Sequence, residues 1–141
     1  MLKITKQELT AIERHAEETY PHECCGVLLG TSDGTERVVH AAKPCGNADA
    51  ATDWFAIDPR EILRIEREGR AHGWDIVGFY HSHVDCPARW SQSDFEEAHW
   101  LGCAYMITRV AQGKAGETNS FALAGTTEED KHFEDEKIEV I

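Results

Sequence analysis

Apolar and polar positions change period several times along this 141-residue chain. Leu9, Ile12 and Ala16 recur at helical spacing behind Thr5 and Glu8, a pair with capping-box spacing. They predict a helix over about residues 6–19 that stops before Pro21. Cys24 to Leu29 is a short apolar run closed by Gly30, the mark of a buried strand. Thr31 to Gly34 is turn chemistry, and Glu36 to Ala42 reads as the hairpin partner. A polar loop from Pro44 to Asp53 leads to a short strand, Trp54 to Ile57. Asp58 before Pro59 is a helix start, and Ile62, Leu63 and Ile65 carry that helix to about Gly73.

Asp75 to His83 is apolar enough for a second buried strand. An irregular loop to Trp90, a helix from about Gln92 to Trp100 and a strand from Ala104 to Val110 follow. Gln112 to Glu117 reads as a turn, and Asn119–Ala124 and Ile138–Ile141 as further strands. This alternation predicts an α/β fold, a mixed central sheet flanked by helices, in one domain over residues 1–141.

Charge changes the picture in one respect. The formal net charge of −12 argues against a nucleic-acid partner, whose backbone needs a basic surface. Glu128 to Glu136 carries much of that charge and reads as a solvated turn or edge. No stretch reaches the roughly 18 to 20 apolar residues of a membrane span, and the first residues lack a signal-peptide core. A cytoplasmic, membrane-free protein is expected. The five cysteines include no C-x-x-C pair, so a disulfide framework or zinc ribbon is not expected. Cys24 and Cys25 read as small buried hydrophobes, and Cys86 lies in the loop after the histidines.

The candidate chemistry sits at the end of the second strand. His81, His83, Ser91 and Asp94 have the form H-x-H-x(7)-S-x-x-D. Two histidines and a carboxylate are a common ligand set for a catalytic zinc, whose fourth position is left to water. Residues two apart on a strand share a face, so His81 and His83 can lean toward one ion while Ser82 points the other way. Asp94 opens the next helix, where Ser91 and Asp94 also have the spacing of a capping box. Asp85, two residues past His83, is the rival third ligand, on the histidines' face only if the strand continues there, which Pro87 argues against. Metal hydrolysis also needs a proton carrier, and Glu23, at the mouth of the first buried strand, is the candidate.

Pro21, Glu23, Cys25-Gly26 and Leu28, taken with His81-Ser82-His83, Ser91 and Asp94, resemble the JAMM (MPN-plus) metalloprotease family. Phe55 to Pro59 and Val77 to His81 extend the similarity to short bacterial members. The resemblance implies a single MPN-type, cytidine-deaminase-like domain in which His81, His83 and Asp94 hold Zn²⁺. It implies Glu23 as general base and acid, and Ser91 as donor to the oxyanion of the scissile carbonyl. Val84 departs from the family pattern, which has Pro after the second histidine; a proline would stiffen the loop by fixing φ.

Family members cleave after the C-terminal Gly-Gly of ubiquitin-like folds. The short loop between His83 and Ser91 is similar to the minimal bacterial form, which implies a ubiquitin-like sulfur carrier protein as partner. The process served would be sulfur transfer toward cysteine, a cofactor or a siderophore. Such a tail can add as a strand to a sheet edge, and its glycines can pass a tunnel closed to side chains. Trp54, Phe55 and Trp90 are candidate tunnel residues. The alternatives are an isopeptidase acting on lysine-linked conjugates and a non-catalytic MPN scaffold. A zinc deaminase is disfavoured, because Pro44-Cys45 has no second cysteine at the required spacing.

Overall fold

The computed structural model describes residues 1–46 and 57–141. Trp54 and Phe55, and most of the strand expected at Trp54–Ile57, lie outside the described residues.

The first helix, α1 (Lys6–Thr19), starts where Thr5 accepts the Glu8 N–H through its side chain. The capping box is only half made, because Glu8 turns away and accepts the Ala42 N–H at 3.1 Å. The helix thereby becomes tied to the sheet. Before it lies a strand that the pattern did not predict, β1 (Leu2–Ile4), too short to show a period. The hairpin appears as β2 (Cys25–Ser32) and β3 (Arg37–Cys45). Pro44 therefore belongs to β3, where its missing N–H is tolerated, rather than to the expected loop.

Asp58 caps α2 (Pro59–Arg70), and β4 (Asp75–Val84) carries the two histidines. Helix α3 (Gln92–Glu97) is shorter than expected, since Ala98 is already extended and Trp100 lies outside it. Strands β5 (Ala104–Ala111) and β6 (Lys114–Ala124) join through Gln112 and Gly113, both at positive φ. The expected turn over Gln112–Glu117 is thus mostly strand. Half of the acidic tract forms β7 (His132–Glu136), an edge strand, and β8 (Ile138–Val140) follows after Lys137.

Among the described residues the strands form one sheet in the order β7-β6-β5-β4-β2-β3-β1-β8. It is mixed: β4 runs parallel to β5, β1 parallel to β3 and β8, and the other pairs are antiparallel. Because β7 and β8 are joined by one residue, the last strands link the two ends of the sheet. The Leu2 N–H donates to the Lys137 carbonyl at 2.8 Å. Buried Arg37 pairs with Glu136 across this closure and donates to the Gly102 carbonyl at 2.7 and 3.1 Å. Ser120 Oγ donates to the second Glu136 oxygen at 2.9 Å, so the buried charges are well supplied with partners.

Both faces of the sheet are covered. Ile12 and Ala16 of α1 pack with Leu2, Ile4, Val39, Tyr80 and Met106. Ile65 of α2 packs on the other face with Val27, Leu29, Phe79, Tyr105 and Leu123. Cys24, just before β2, joins the first layer and Cys25, its first residue, the second. All five cysteines are free; Cys86 is exposed and the other four are buried. Among the described residues no helix is long and apolar enough to cross a membrane.

The Tyr80 ring crosses β2 at Gly26, and its hydroxyl shares a 2.7 Å hydrogen bond with His15 Nδ1. A Cβ at Gly26 would collide with that ring and stand 2.6 Å from the Lys43 carbonyl oxygen. Gly26→Ala is therefore predicted to lower stability by about 1–3 kcal/mol through overpacking. Urea denaturation checks this, and an unchanged midpoint would contradict it.

Candidate metal centre

Two elements converge on one point. His81 and His83 continue the Phe79 face of β4 at the C-terminal end of a parallel strand pair, where open α/β sheets place their sites. Helix α3 enters from beside them. Ser91 Oγ accepts the Asp94 N–H at 3.2 Å, and the Asp94 carboxylate accepts the Ser91 N–H at 2.8 Å, a reciprocal capping box. That box aims the same carboxylate at both rings. His81 Nε2 lies 3.2 Å from Oδ1, His83 Nε2 lies 3.0 Å from Oδ2, and the two ring nitrogens are 3.2 Å apart.

Donor atoms of His81, His83 and Asp94 thus form a compact triangle. Ligands about 2.0 Å from a common ion at tetrahedral angles lie about 3.3 Å apart, so the donor set fits a small transition metal. Three protein ligands would leave one position open. Among the described residues no cysteine joins the group. Asp85, the rival ligand, is turned away: it takes φ 54° and accepts the Tyr20 hydroxyl at 2.8 Å and the Gln112 N–H at 2.7 Å. Val84 stays in register with Val110, and the Asp85 N–H donates to the Val110 carbonyl. The loop is therefore held by Asp85 where a proline was expected to stiffen it.

Electrostatics separate the two imidazoles. Burial is the main influence on His81 and lowers its pKa below the ordinary value. Burial also pulls His83 down, but the Asp94 hydrogen bond, the Pro87 carbonyl and the charges of Asp94 and Glu23 together raise it. Burial alone would raise the Asp94 carboxyl. Hydrogen bonds from both histidines, the His81 charge and the Ser91 N–H outweigh it and hold Asp94 far below the usual carboxylate range. His83 Nδ1 lies 2.8 Å from the Pro87 carbonyl, which can only accept. Nδ1 therefore carries hydrogen, and in the neutral ring Nε2 keeps its lone pair for a metal.

The other expected residues surround this triangle. Glu23 is buried, 3 % exposed, and its charge is felt at His83. Its backbone is pinned through the next residue: the Cys24 N–H donates to Ser82 Oγ at 2.8 Å, and the Ser82 N–H returns a bond to the Cys24 carbonyl. Ser82 thus points to the face opposite the histidines, as strand alternation requires. Ser91 is exposed, and its hydroxyl hydrogen is left over after the cap is made. Trp90 packs on Phe95 and Phe133 and lines a cleft with His81 and Asp94. The sequence carried no signal for the Pro87 carbonyl, the Tyr20–Asp85 latch or the Ser82–Cys24 bond.

Comparison with known proteins agrees with this geometry. Residues 5–124 match the family described as prokaryotic homologs of the JAB domain. The chain belongs to this family. It is similar to the Desampylase of Haloferax volcanii, 42% identical over 88 residues, which cover 62% of each chain. It is also similar to the Desampylase of Pyrococcus furiosus, 31% identical over 52% of this chain and 50% of that one. The chain therefore spans less than two thirds of these relatives' length. Among solved structures, a Desulfitobacterium hafniense protein superposes with a TM-score of 0.82 at 30% identity, over 100% of this chain and 94% of that one. A Salinibacter ruber protein gives a TM-score of 0.74 at 34% identity, over 99% and 91%. The mixed sheet flanked by helices is thus the fold of JAB-domain proteins.

A metal held here would compete with a proton on His83, whose pKa is raised. Affinity is predicted to rise with pH through that raised value and to level off above it. The metal-free protein should show the opposite trend. Its His83 contribution is fully present below the unfolded imidazole value of about 6.5 and is lost as pH rises through the folded one. Calorimetric titration with Zn²⁺ across this range checks the first trend, and a pH-independent affinity would contradict it.

Proposed function

We propose that this protein is a zinc-dependent peptidase that hydrolyses the bond after the C-terminal Gly-Gly of a ubiquitin-like sulfur carrier protein. The observation that carries the reading is a His-His-Asp donor triangle with a buried carboxylate, Glu23, two residues before the adjacent strand β2; the Glu23 charge acts on His83. His81, His83 and Asp94 would hold the zinc. A zinc so held supplies Lewis acidity toward a carbonyl and makes a water easier to deprotonate.

The remaining steps belong to the chain's own side chains. Glu23 takes the proton of the attacking water and returns it to the departing amine, so the C–N bond breaks without an anionic leaving group. Ser91, already fixed as the helix cap, donates its remaining hydrogen to the carbonyl oxygen as negative charge builds there. The Pro87 carbonyl holds the His83 ring in the tautomer that presents Nε2. Removing residues past Gly-Gly would free the carrier's terminus for thiocarboxylate formation or release a finished product.

A second reading, removal of a ubiquitin-like modifier from lysine, is favoured by the two relatives named Desampylase. The two readings share the bond after Gly-Gly and differ in the leaving amine. In both the protein works in the cytoplasm, without nucleic acid or membrane.

Intact-mass analysis of a carrier extended past Gly-Gly, beside a lysine-linked conjugate, separates them. Wild type should contain one zinc and cut the linear substrate. Glu23→Gln should keep the zinc and lose roughly 10²–10⁴-fold in rate. Ser91→Ala should lose roughly 10²–10³-fold in kcat. Cleavage of the conjugate alone would establish the isopeptidase, and zinc-free wild-type protein would overturn the ligand assignment.

A further inference from the structure

The segment read as acidic surface contains a lysine whose side chain is largely covered. Lys131 has a side chain only 6% exposed. An ammonium has three donors, and three acceptors surround this one. Nζ donates to the Phe95 carbonyl at 3.0 Å and the Ala98 carbonyl at 2.9 Å, and it pairs with Glu128 at 2.9 Å. It also stands over the Phe95 ring, 4.9 Å from the centroid. Two residues on, Phe133 packs against Phe95 and Trp90.

Both carbonyls lie at the C-terminal end of α3. That helix has six residues and no basic residue in its last turn. A helix so short is not stable by itself; its Phe95 carbonyl also accepts the Ala98 N–H at 3.3 Å, and the Ala98 carbonyl lies past its last turn. Its N-terminal end is closed by the Ser91–Asp94 box; its C-terminal end is closed by a cation from a different part of the chain. The family match ends at residue 124, so Lys131 lies beyond it.

We infer that Lys131 is a positioning residue: by capping the C-terminal end of α3, it holds Asp94 and Ser91 in register with His81 and His83. The inference rests on the reading of Asp94 as a zinc ligand. Asp94 immediately precedes Phe95, so a shift of the last turn is transmitted to the carboxylate. Displacements of about 1 Å at such a group are costly.

The test compares wild type with Lys131→Met, which keeps the apolar stem, and Lys131→Arg, which keeps the charge. Zinc affinity is read by chelator competition on protein stripped and reloaded, and α3 order by hydrogen exchange of the Phe95 and Ala98 amides in the zinc-free state. Lys131→Met should weaken zinc roughly 10–100-fold, as loss of a group supporting a ligand does, and Lys131→Arg should recover most of it. Amide exchange in α3 should speed up while β4 stays protected, and kcat should fall with KM held. Unchanged zinc affinity and unchanged α3 exchange in Lys131→Met would overturn the inference, even if the melting temperature falls. If Lys131→Met does not fold, Lys131→Gln takes its place, with an intermediate loss expected and wild-type affinity overturning the proposal. Wild type that binds no zinc would defeat the ligand reading instead, and α3 exchange would then decide the role of Lys131 by itself.

Discussion

One carboxylate is held from two directions. The Asp94 side chain closes the first turn of α3 by accepting the Ser91 N–H, and its two oxygens face the ring nitrogens of His81 and His83. The first interaction fixes where the helix begins. The second fixes how that helix sits against β4. Neither would set the site by itself, because a six-residue helix has little intrinsic stability and a strand end presents its side chains along a fixed direction. Much else in the structure supports this junction. The Pro87 carbonyl orients His83, Asp85 shapes the loop between the two elements, and Ser82 ties β4 to the strand that Glu23 precedes.

The sheet makes the junction possible. β4 is central, with β2 antiparallel on one side and β5 parallel on the other. His81 is therefore paired on both sides, while His83 and Val84 beyond it are paired with β5. Burial of His81 lowers its proton affinity and favours the neutral ring. His83, less enclosed and bonded to Pro87, binds its proton more tightly. The same carboxylate thus faces two imidazoles of unlike basicity, which differ in burial, in the Pro87 hydrogen bond and in the nearby Glu23 charge.

What was legible in the chain follows from range. His81, His83, Ser91 and Asp94 could be singled out because their spacing on a strand and a helix cap is local geometry, whereas the assignment of Glu23 rests on the family resemblance of the segment from Pro21 to Leu28. The helices of residues 6–19 and 59–70 and the apolar strands showed their periods directly. β1 escaped notice because three residues carry no period, and its pairing with β3 and β8 is non-local. The acidic tract misled for the same reason. Nothing near Lys131 in sequence signals that α3 lacks a cation, and nothing near Glu136 signals Arg37 across the closure. Asp85 was a rival ligand by its place two residues past His83; its partners Tyr20 and Gln112 come from distant parts of the chain.

X-ray absorption spectroscopy of the zinc-loaded protein tests the central claim most directly, since it reads the atoms bound to the metal. Coordination by His81, His83, Asp94 and a solvent oxygen predicts only nitrogen and oxygen neighbours at about 2.0–2.1 Å, with imidazole multiple scattering that diminishes in His83→Ala. A sulfur neighbour at about 2.3 Å would place the ion on a cysteine and contradict the assignment.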